Sequence, residues 1–362
     1  LVSKTGLTFE AMGELEYYVI SQGEVIYPAN DQKGYHESPP FAKWENLRLE
    51  AMKAIAACGG LIKYGHSEVG NFTIDNHVFE QNEIEFLPTN VEDAADQLVI
   101  AKWVLRNMAY KYGVTISFAP KITVGKAGSG MHIHTRLMKN GKNMLVENGQ
   151  ISNIAKRAIA GFLQLAPSLT AFGNTIPTSY FRLVPHQEAP TNICWGDRNR
   201  SVLVRVPLGW TGNANMSKGA NPLETSDSAD YSDKQTVEFR CPDGSADIYL
   251  LMAGLTVAAR HGLEMDDALE FAQMSFVGVN IFKDEYKETC KNLAQLPASC
   301  SESADCLKKQ AEIYKKYDVF SPGIIDRLIA RLKSHDDKNL RKTINDSPSE
   351  IITLVNKYLH FA

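Results

Sequence analysis

The sequence predicts an α+β fold in which helices back an antiparallel or mixed sheet. Segments with strand-like and helix-like periodicity follow one another without the regular alternation of a parallel doubly wound fold. Several strand-like segments carry polar residues at every second position in otherwise apolar surroundings. Roughly the last ninety residues have mostly helical periodicity and many charges.

The first half of the chain begins with a strand over Gly13–Ile20, a segment rich in β-forming residues. Helical periodicity that ends at a glycine predicts a helix over about 41–58. Thr89 and Glu92 form a capping-box pattern before a second, long helix that is expected to end at Gly113. Together these segments predict a sheet covered by helices.

The segments that follow continue the same mixture. "VTISFAP" is a short strand, and "MHIHTRLMKNGKNMLV" predicts a hairpin that turns at Asn140-Gly141. A helix is expected over about 152–171, followed by a stretch that its prolines break up. The remaining predicted elements are strands in "RSVLVRVP" and "KQTVEFRC", a helix over about 248–269, and a final helix in "SPSEIITLVNKYL" capped by Ser347 or Ser349.

Composition narrows the class of protein. The 362 residues, 44% of them apolar, suffice for one large core or two modest ones. A net charge of -4 argues against nucleic acid as the main partner, and no apolar run approaches the roughly 18 residues of a membrane span. No secretory signal opens the sequence, and the six cysteines form no Cys-x-x-Cys pair. A reduced cytoplasmic protein is expected, with a Cys300–Cys306 bridge as the alternative.

Three predicted strands carry polar pairs at i, i+2 spacing: Glu14 with Glu16, His132 with His134, and Glu238 with Arg240. Residues at this spacing point to the same side of a strand. Two glutamates on one dry face repel each other, whereas water or a cation makes the pair tolerable. Each pair taken alone is compatible with a solvated strand face, since carboxylates are mostly exposed.

Two further glutamates, Glu68 and Glu83, stand beside turn residues. The five carboxylates with one imidazole from the strand pairs form a plausible ligand set for hard divalent cations. Magnesium takes oxygen ligands, and manganese also accepts an imidazole. Zinc is disfavoured because the cysteines are not placed to help. Spacing alone does not show that these strands converge.

Five segments, read in order, resemble the catalytic domain of the glutamine synthetase family. "GELEYY" is similar to the family's first strand of metal glutamates, and "EVG…QNEIEF" to its second metal segment. "KITVGKAGSGMHIH" resembles its glycine-histidine signature, and "NTIPTSYFRLVPHQEAPTNICWGDRNRSVLVRVP" its long substrate and nucleotide segment. "VEFRCPDGSADIYLLMAGL" resembles its closing metal strand. The resemblance spans about residues 13–255.

The resemblance implies a curved antiparallel or mixed sheet that forms an active-site cavity. Residues 1–362 would be the catalytic domain, with a helical C-terminal part over about 264–362. The family's small β-rich N-terminal domain is not expected in this sequence, because only twelve residues precede Gly13. The implied reaction is the ATP-dependent ligation of ammonia to the γ-carboxylate of glutamate through γ-glutamyl phosphate. The resemblance further implies two or more Mg²⁺ or Mn²⁺ ions per site and a large ring-shaped homo-oligomer.

Position by position, the resemblance also implies residue roles. One metal would be held by Glu16, Glu68 and Glu83, and a second by Glu14, His132 and Glu238. The amino-acid substrate would be bound by Gly128, Arg182 and Arg240. The nucleotide would be faced by His134, Arg200 and Arg205. The catalytic residues would be Glu188, Arg200 and Arg240, with Glu188 taking a proton from the amine. Such a concentration of cations is needed because ATP and a glutamate side chain together bring about five negative charges.

Two departures from the family pattern keep an alternative open. Ala127 stands where glutamine synthetases commonly carry an asparagine, and Glu68 and Glu83 are separated by more residues than in the compact bacterial pattern. Both departures suit a γ-glutamyl ligase that acts on a polyamine or another amine. A non-catalytic structural or regulatory relative is the alternative of another class. Against it, every proposed metal ligand and arginine is present, and mutually repelling carboxylates are not expected to persist without a cation.

Overall fold

The computed structural model describes residues 1–23, 26–28, 30–184, 189–208, 216–225, 232–286, 291–344 and 348–361. Within these residues the chain forms one large sheet and one small two-stranded sheet. The strands are β1 Thr8–Gln22, β2 Ile62–Ile74, β3 His77–Phe86, β4 Thr89–Asn90, β5 Thr115–Ser117, β6 Met131–Lys139, β7 Lys142–Asn143, β8 Val146–Glu147, β9 Gln150–Ile151, β10 Trp195–Asp197, β11 Val204–Val206 and β12 Val237–Phe239.

The large sheet has the strand order β10-β11-β12-β6-β1-β3-β2. Short strands β4 and β5 pair with β1, and β7 pairs with β6. The β10–β11 pair is parallel and the other pairs are antiparallel, so the sheet is mixed, as the sequence predicted. Strands β8 and β9 form the small separate sheet.

Helices α2, α3, α4 and α7, whose bounds follow, pack against one side of this sheet. The helices of the described residues are α1 Val2–Thr5, α2 Glu45–Ala57, α3 Val91–Tyr112, α4 Asn153–Gly173, α5 Ser179–Arg182, α6 Met216–Ala220, α7 Ile248–Glu264, α8 Ala268–Met274, α9 Cys300–Lys315, α10 Pro322–Lys333, α11 Leu340–Ile344 and α12 Pro348–Tyr358. Leu47 of α2, Leu98 of α3 and Leu255 of α7 share one buried core with Leu15 and Ile133 of the sheet. Apolar burial against these helices therefore fixes which face of each strand points away from them.

Strand alternation separates apolar and charged side chains on β1. Leu15 and Tyr17 are fully buried in the core, whereas Glu14 and Glu16 point to the opposite face. In the antiparallel register Glu14 lies between His132 of β6 and Glu85 of β3. The fold thus gathers chemically active side chains on the face that the helices leave open.

The predicted hairpin is confirmed. Asn140 and Gly141 connect β6 to β7, and both have positive φ values, 50° and 75°. This is the backbone that a two-residue hairpin turn requires, and asparagine and glycine adopt it at low cost. The predicted end of the second helix is also confirmed, because Gly113 caps α3 in the left-handed conformation.

The predicted capping box at Thr89 is wrong. Thr89 belongs to β4 and pairs with Ala11, so the helix begins two residues later, at Val91. Its N-cap residue is Asn90, which makes no capping hydrogen bond through its side chain. Backbone pairing of Thr89 with β1 therefore takes the place of the helix cap that the local sequence predicts.

Several element boundaries also differ from expectation. The first long helix begins at Glu45 rather than near 41, because the carboxylate of Glu80 accepts the Lys43 and Trp44 backbone N–H groups just before it. The predicted strands in "RSVLVRVP" and "KQTVEFRC" shrink to β11 and β12, and the helix expected over 248–269 divides into α7 and α8. Asp247 caps α7 by accepting a hydrogen bond from the Leu250 N–H group. Ser347 lies outside the described residues, and Ser349 lies inside α12.

The cysteines of the described residues are not bridged. Cys58, Cys194, Cys241, Cys300 and Cys306 form no disulfide with one another, so Cys300 and Cys306 are not bridged. Cys290 lies outside the described residues. Among the described helices, none combines the length and apolar character that crossing a membrane would demand.

Candidate active site

Five adjacent strands contribute acidic and imidazole side chains to one face of the sheet. In the order β12, β6, β1, β3 and β2, they supply Glu238, the pair His132 and His134, the pair Glu14 and Glu16, Glu83, and Glu68. Register sets these neighbours: Glu238 lies opposite His134, Glu14 opposite His132, and Glu16 opposite Glu83. The six residues predicted as metal ligands therefore lie on one continuous surface.

One part of this surface, here called the balanced half, consists of Glu14, His132, His134, Glu238, Arg205 and Arg240. Nδ1 of His132 lies 3.0 Å from a carboxylate oxygen of Glu14, and Nε2 of His134 lies 2.8 Å from the other. Glu238 accepts hydrogen bonds from Arg240 Nε and Arg205 Nη1, each at 3.0 Å. Every carboxylate of this half thus has a cationic or imidazole partner.

These partners control the ionisation of the balanced half. Burial alone would raise the pKa of Glu14, but His134 and His132 outweigh burial and hold that pKa well below its usual value. The pKa of Glu238 is likewise lowered, because Arg240 and the two imidazoles offset its burial and the repulsion from Glu14. Burial lowers the pKa of His132 against the pull of Glu14, whereas the attraction of Glu14 raises the pKa of His134 above its usual value.

The neighbouring part, here called the carboxylate half, consists of Glu16, Glu68, Glu83, Glu85 and His66. Nε2 of His66 lies 3.1 Å from a Glu83 oxygen, and its Nδ1 lies 3.8 Å from a Glu68 oxygen. Glu85 accepts a hydrogen bond from Lys63 Nζ at 2.6 Å. The positive or imidazole groups near these four carboxylates include His66, Lys63 and, toward Glu68, Arg200.

Ionisation in the carboxylate half is displaced in the opposite direction. Burial, reinforced by repulsion from Glu14, Glu16, Glu68 and Glu85, raises the pKa of Glu83 well above its usual value. Burial and the nearby Glu16 raise the pKa of Glu68 to about 7. Negative charge is therefore costly here unless protons or a bound cation compensate it.

Among the described residues, three groups of side chains could each hold a metal ion, with ligand atoms within 4.8 Å of one another: Glu14 with His134 and Glu238, His66 with Glu68 and Glu83, and Glu14 with Glu83 and Glu85. The expected trios were Glu14, His132 and Glu238, and Glu16, Glu68 and Glu83. The structure brings Glu68 and Glu83 together as expected, and it adds His66 and Glu85. His134, expected at the nucleotide, lies in the first group, so its nucleotide role stays a prediction.

The glycine segment, residues 126–130, lies against β1 and Arg182. The Gly130 N–H group donates to a Glu16 carboxylate oxygen at 2.8 Å. A Cβ atom on Gly130 would lie 2.5 Å from Arg182 Nη2, and one on Gly128 would lie 2.6 Å from the Pro120 carbonyl oxygen. A neighbouring backbone oxygen excludes a side chain at Gly128, whereas a side chain at Gly130 would have to displace the Arg182 guanidinium.

The predicted arginines lie around the balanced half. Arg182 is buried and donates through Nη1 to the Cys241 carbonyl oxygen at 2.8 Å, while Nη2 lies 3.4 Å from Nε2 of His132. Arg240 donates to the Arg200 carbonyl oxygen as well as to Glu238. Arg200 is exposed, and a hydrogen bond with Tyr35 raises its pKa. Glu188, the predicted proton acceptor, lies outside the described residues.

The long interval between Glu68 and Glu83 is absorbed by the β2–β3 hairpin. Pairing between these strands is irregular between Ser67 and Asn71, where the register shifts. The hairpin then continues to a turn at Asp75 and Asn76, both with positive φ. The additional residues therefore lengthen the hairpin beyond the site and leave Glu68 and Glu83 in one group.

A strap over residues 32–36 follows the edge of β2 beside the carboxylate half. Its backbone N–H groups at Gln32, Gly34 and His36 donate to carbonyl oxygens of β2. The His36 ring stacks on His66 with centroids 4.4 Å apart, and the Tyr35 ring meets His66 edge-on at 5.5 Å. The strap therefore places an aromatic wall next to Glu68 and Glu83.

Sequence reasoning missed His66, Glu85, the strap residues Tyr35 and His36, and Gln81. Glu85 was available, since it follows Glu83 at i, i+2 as in the other strand pairs. His66 precedes Glu68 at the same spacing, so the rule that found the other pairs applies to it too. The strap carried no comparable signal, because its position depends on hydrogen bonds to a strand far along the chain.

Comparison with known proteins agrees with this geometry. A family model described as "Glutamine synthetase, catalytic domain" matches residues 1–351. Relatives named glutamine synthetase include one from Streptomyces coelicolor, 33% identical over 84% of this chain, and one from Pyrococcus furiosus, 32% identical over 82% of it. These matches cover 59% and 60% of the relatives' own lengths, so the chain spans about three fifths of the proteins it resembles.

Solved structures show the same fold. The cryo-EM structure of Plasmodium falciparum glutamine synthetase superposes with a TM-score of 0.73, covering 97% of this chain and 76% of that one at 20% identity. The crystal structure of a novel glutamine synthase homolog gives a TM-score of 0.69, covering 99% of this chain and 71% of the other. With the family match over nearly the whole sequence, these findings show that the chain belongs to the glutamine synthetase catalytic-domain family.

Proposed function

We propose that this chain catalyses the ATP-dependent ligation of ammonia to the γ-carboxylate of glutamate, with γ-glutamyl phosphate as the intermediate. The observation that carries the proposal is the gathering of Glu14, Glu68, Glu83, His132 and Glu238 on one sheet face, with excess negative charge around Glu83. Family membership supports a ligase of this kind.

The residues present suit divalent cations. Carboxylate oxygens with one imidazole are the donors that Mg²⁺ and Mn²⁺ accept, and the raised pKa values of Glu68 and Glu83 mark a cluster that a cation would relieve. We propose that Glu16, Glu68 and Glu83 hold one ion, with His66 nearby, and that Glu14, His132 and Glu238 hold another. Such ions, when bound, neutralise charge on the ATP phosphates and on the reacting carboxylate.

The chain's own cations have complementary tasks. Arg182, next to the glycine segment, would bind the α-carboxylate of glutamate, for which a planar guanidinium is suited. Arg240, held by Glu238, would face the reacting γ-carboxylate. Arg200 and Arg205 would face the nucleotide phosphates, with His134 nearby. Fixed positive groups at these points lower the repulsion that opposes phosphoryl transfer.

The proposed chemistry has two transfers. An oxygen of the γ-carboxylate attacks the terminal phosphorus of ATP, the bond to the β-phosphate oxygen breaks, and ADP leaves. The amine nitrogen then attacks the acyl carbon, inorganic phosphate leaves, and the nitrogen loses a proton to a carboxylate. Glu188 is the proposed acceptor of that proton, and it would also shield the acyl phosphate from water.

A larger amine as the nitrogen donor is the second candidate. Tyr35 of the aromatic wall beside Glu68 supports it, because the face of a tyrosine ring attracts organic cations. Ala127 supports it as well, since no polar side chain stands at that position of the glycine segment. A diamine has the matching chemistry, with one ammonium for the wall and one free amine for the acyl carbon.

Assembly and domain organisation belong to the same proposal. Residues 1–362 would act as the catalytic domain, with residues of about 264–362 as its helical part. A large ring-shaped homo-oligomer is proposed by analogy with the family. Sedimentation velocity on the full-length protein measures this directly, and a monomer at micromolar concentration would contradict it.

Phosphate release from ATP tests the function. The full-length protein should release phosphate only when glutamate, ATP, Mg²⁺ or Mn²⁺ and an amine are all present, and mass spectrometry should detect glutamine with ammonia. Strong preference for a diamine over ammonia would replace the first candidate with the second. No phosphate release with any amine, together with no binding of Mn²⁺ at millimolar concentration, would contradict both and leave a structural relative.

A further inference from the structure

Gln81 occupies a junction between the glycine segment and β1. Its side chain is 1% exposed and lies between strand β3, which carries it, and three other chain segments: β1, β2 and the glycine segment. Nε2 donates to a Glu16 carboxylate oxygen at 3.0 Å and to the Gly128 carbonyl oxygen at 3.0 Å, with Ser129 Oγ at 3.3 Å. Oε1 accepts from the Gly70 N–H group at 2.9 Å. One amide therefore connects a proposed metal ligand with the proposed substrate segment.

The same two regions also contact each other directly. The Gly130 N–H group donates at 2.8 Å to the Glu16 oxygen that accepts from Gln81. Tyr18, two residues after Glu16 on the same face, donates to the Ala127 carbonyl oxygen at 2.8 Å. Displacing the glycine segment from β1 would therefore break the Gln81 bond to Gly128 and disturb the groups that fix the Glu16 carboxylate.

We infer that Gln81 is a positioning residue that couples amino-acid binding at the glycine segment to divalent-cation binding at Glu16. The inference rests on the proposed function, because both ligands come from it. A ligand that fixes the glycine segment also fixes the shared amide and the carboxylate beyond it. Coupling of this kind is reciprocal, so a cation at Glu16 favours the amino acid to the same degree.

The side chain is suited to this task by its two kinds of polar atom. The NH₂ group has two hydrogens, which match the two acceptors at 3.0 Å, while the carbonyl oxygen satisfies a backbone N–H group on β2. Gln81→Met removes all hydrogen bonds of the Gln81 amide while keeping a side chain of similar length. Gln81→Glu keeps the acceptor for Gly70 and replaces the donors with a carboxylate oxygen. Because this also adds a charge beside Glu16, the ratio of Mn²⁺ affinities with and without glutamate, and not the affinity itself, reports on the coupling.

Gln97 provides a matched control. It is also a buried glutamine, on α3, whose Oε1 accepts from the Leu61 N–H group at 3.0 Å and whose Nε2 lies 3.5 Å from the Leu87 carbonyl oxygen. Like Gln81, it joins two chain segments, but neither segment contains a proposed ligand. Gln97→Met and Gln97→Glu thus repeat the chemical changes away from the site.

The test is calorimetric titration of Mn²⁺ into the metal-free full chain, with and without saturating glutamate. We expect glutamate to tighten Mn²⁺ binding by about tenfold in the wild type and both Gln97 variants, a typical coupling between sites. In Gln81→Met and Gln81→Glu the factor should fall to about twofold or less. If Gln81→Met does not fold, Gln81→Glu decides.

The outcomes separate the inference from the proposed function. Wild-type coupling retained in the Gln81 variants, or absent from a wild type that binds both ligands, would overturn the inference and leave the function standing. A wild type that binds neither Mn²⁺ nor glutamate would overturn the proposed function and the coupling with it. Equal loss of coupling in the Gln81 and Gln97 variants would reduce Gln81 to a general structural role.

Discussion

The two halves of the site carry similar carboxylates in different electrostatic surroundings. In the balanced half, Glu238 meets two arginines and Glu14 meets two histidines, and both pKa values are lowered. In the carboxylate half, Glu83 faces four other carboxylates, and its pKa is raised. The difference teaches that neighbours decide the sign of the shift: burial raises the pKa of all three carboxylates, and only Glu14 and Glu238 have cationic or imidazole partners that reverse it.

The contrast also indicates what each half requires. The balanced half stabilises its carboxylates with groups of this chain, so its geometry is expected to persist without ligands. The carboxylate half has His66 and Lys63 against four acidic groups, so protons or a cation must complete it. The same substitution, glutamate to glutamine, should therefore have different effects on stability in the two halves.

The largest effect is expected on activity. Glu83→Gln and Glu238→Gln should each lower kcat by about a hundredfold or more, because each would weaken the hold on a cation that stabilises negative charge in the transition state. Steady-state phosphate release with ATP, glutamate and ammonia measures this. Glu10→Gln is the control, because Glu10 lies on β1 but pairs with Arg136 outside the ligand groups. A Glu83 variant with near wild-type kcat would remove the carboxylate half from the proposed mechanism.

Stability should separate the same two substitutions. In the presence of a chelator, Glu238→Gln should lower the free energy of unfolding by about 3 kcal/mol, because it leaves Arg205 and Arg240 without their charge partner. Glu83→Gln should leave that free energy unchanged or raise it, since it relieves repulsion from neighbouring carboxylates. Urea denaturation measures both. Equal destabilisation by the two changes would contradict the distinction between the halves.

Lys102 is a buried basic group whose pKa, like those of the buried carboxylates, is shifted by its surroundings. Burial and the neighbouring Arg106 lower its pKa from 10.5 to about 7, against the attraction of Asp243, and its Nζ donates to the Gly244 carbonyl oxygen. At pH values between 7 and 10.5, the Lys102 amine is neutral in the folded chain and protonated in the unfolded chain. The contribution of Lys102 to stability therefore rises with pH, at about 1.4 kcal/mol per pH unit above the folded pKa.

Comparing Lys102→Met with wild type in urea denaturation between pH 7.5 and 9 tests this dependence. The difference between the two slopes isolates Lys102, and we expect the wild type to gain about 2 kcal/mol relative to the variant over this range. Lys111→Met is the control, because Lys111 lies on the same helix at the surface. Parallel pH profiles for Lys102→Met and wild type would show that the lysine keeps its proton when buried.

The smallest effect is expected at the glycine segment. Gly130→Ala should raise KM for glutamate by about tenfold, because the new Cβ would displace Arg182 Nη2 and His132 Nε2, which lie 2.5 and 2.9 Å from its position. KM for ATP should change less. Gly323→Ala is the control, since no atom lies within 4 Å of its added Cβ. An unchanged KM for glutamate would place the amino acid away from Arg182.

Local pattern predicted much of this architecture. The hairpin at Asn140-Gly141 and the helix end at Gly113 were predictable because a single turn or cap decides them. The capping box at Thr89 failed because pairing with Ala11 of β1 lies outside any local window. The predicted boundaries of β11 and β12 were wrong for a related reason. Cross-strand pairing decides where these strands end, and it does not include Arg200 or Arg240.

In the candidate site, too, some features follow from local sequence and others depend on contacts between distant segments. Glu14 and Glu16 could be identified as partners because they are two residues apart on one strand. The stacking of His36 on His66, and the connection that Gln81 makes between Glu16 and Gly128, join residues far apart in the chain. Such contacts leave no periodic signal.

The sequence by itself determined which side chains share a face of each strand, because strand alternation is a local property of the backbone. Only the tertiary structure decided which faces become neighbours and which carboxylates receive a cationic partner. The reason is electrostatic: the pKa of Glu83 or Glu238 depends on distances to charges on other strands, and register across the sheet sets those distances.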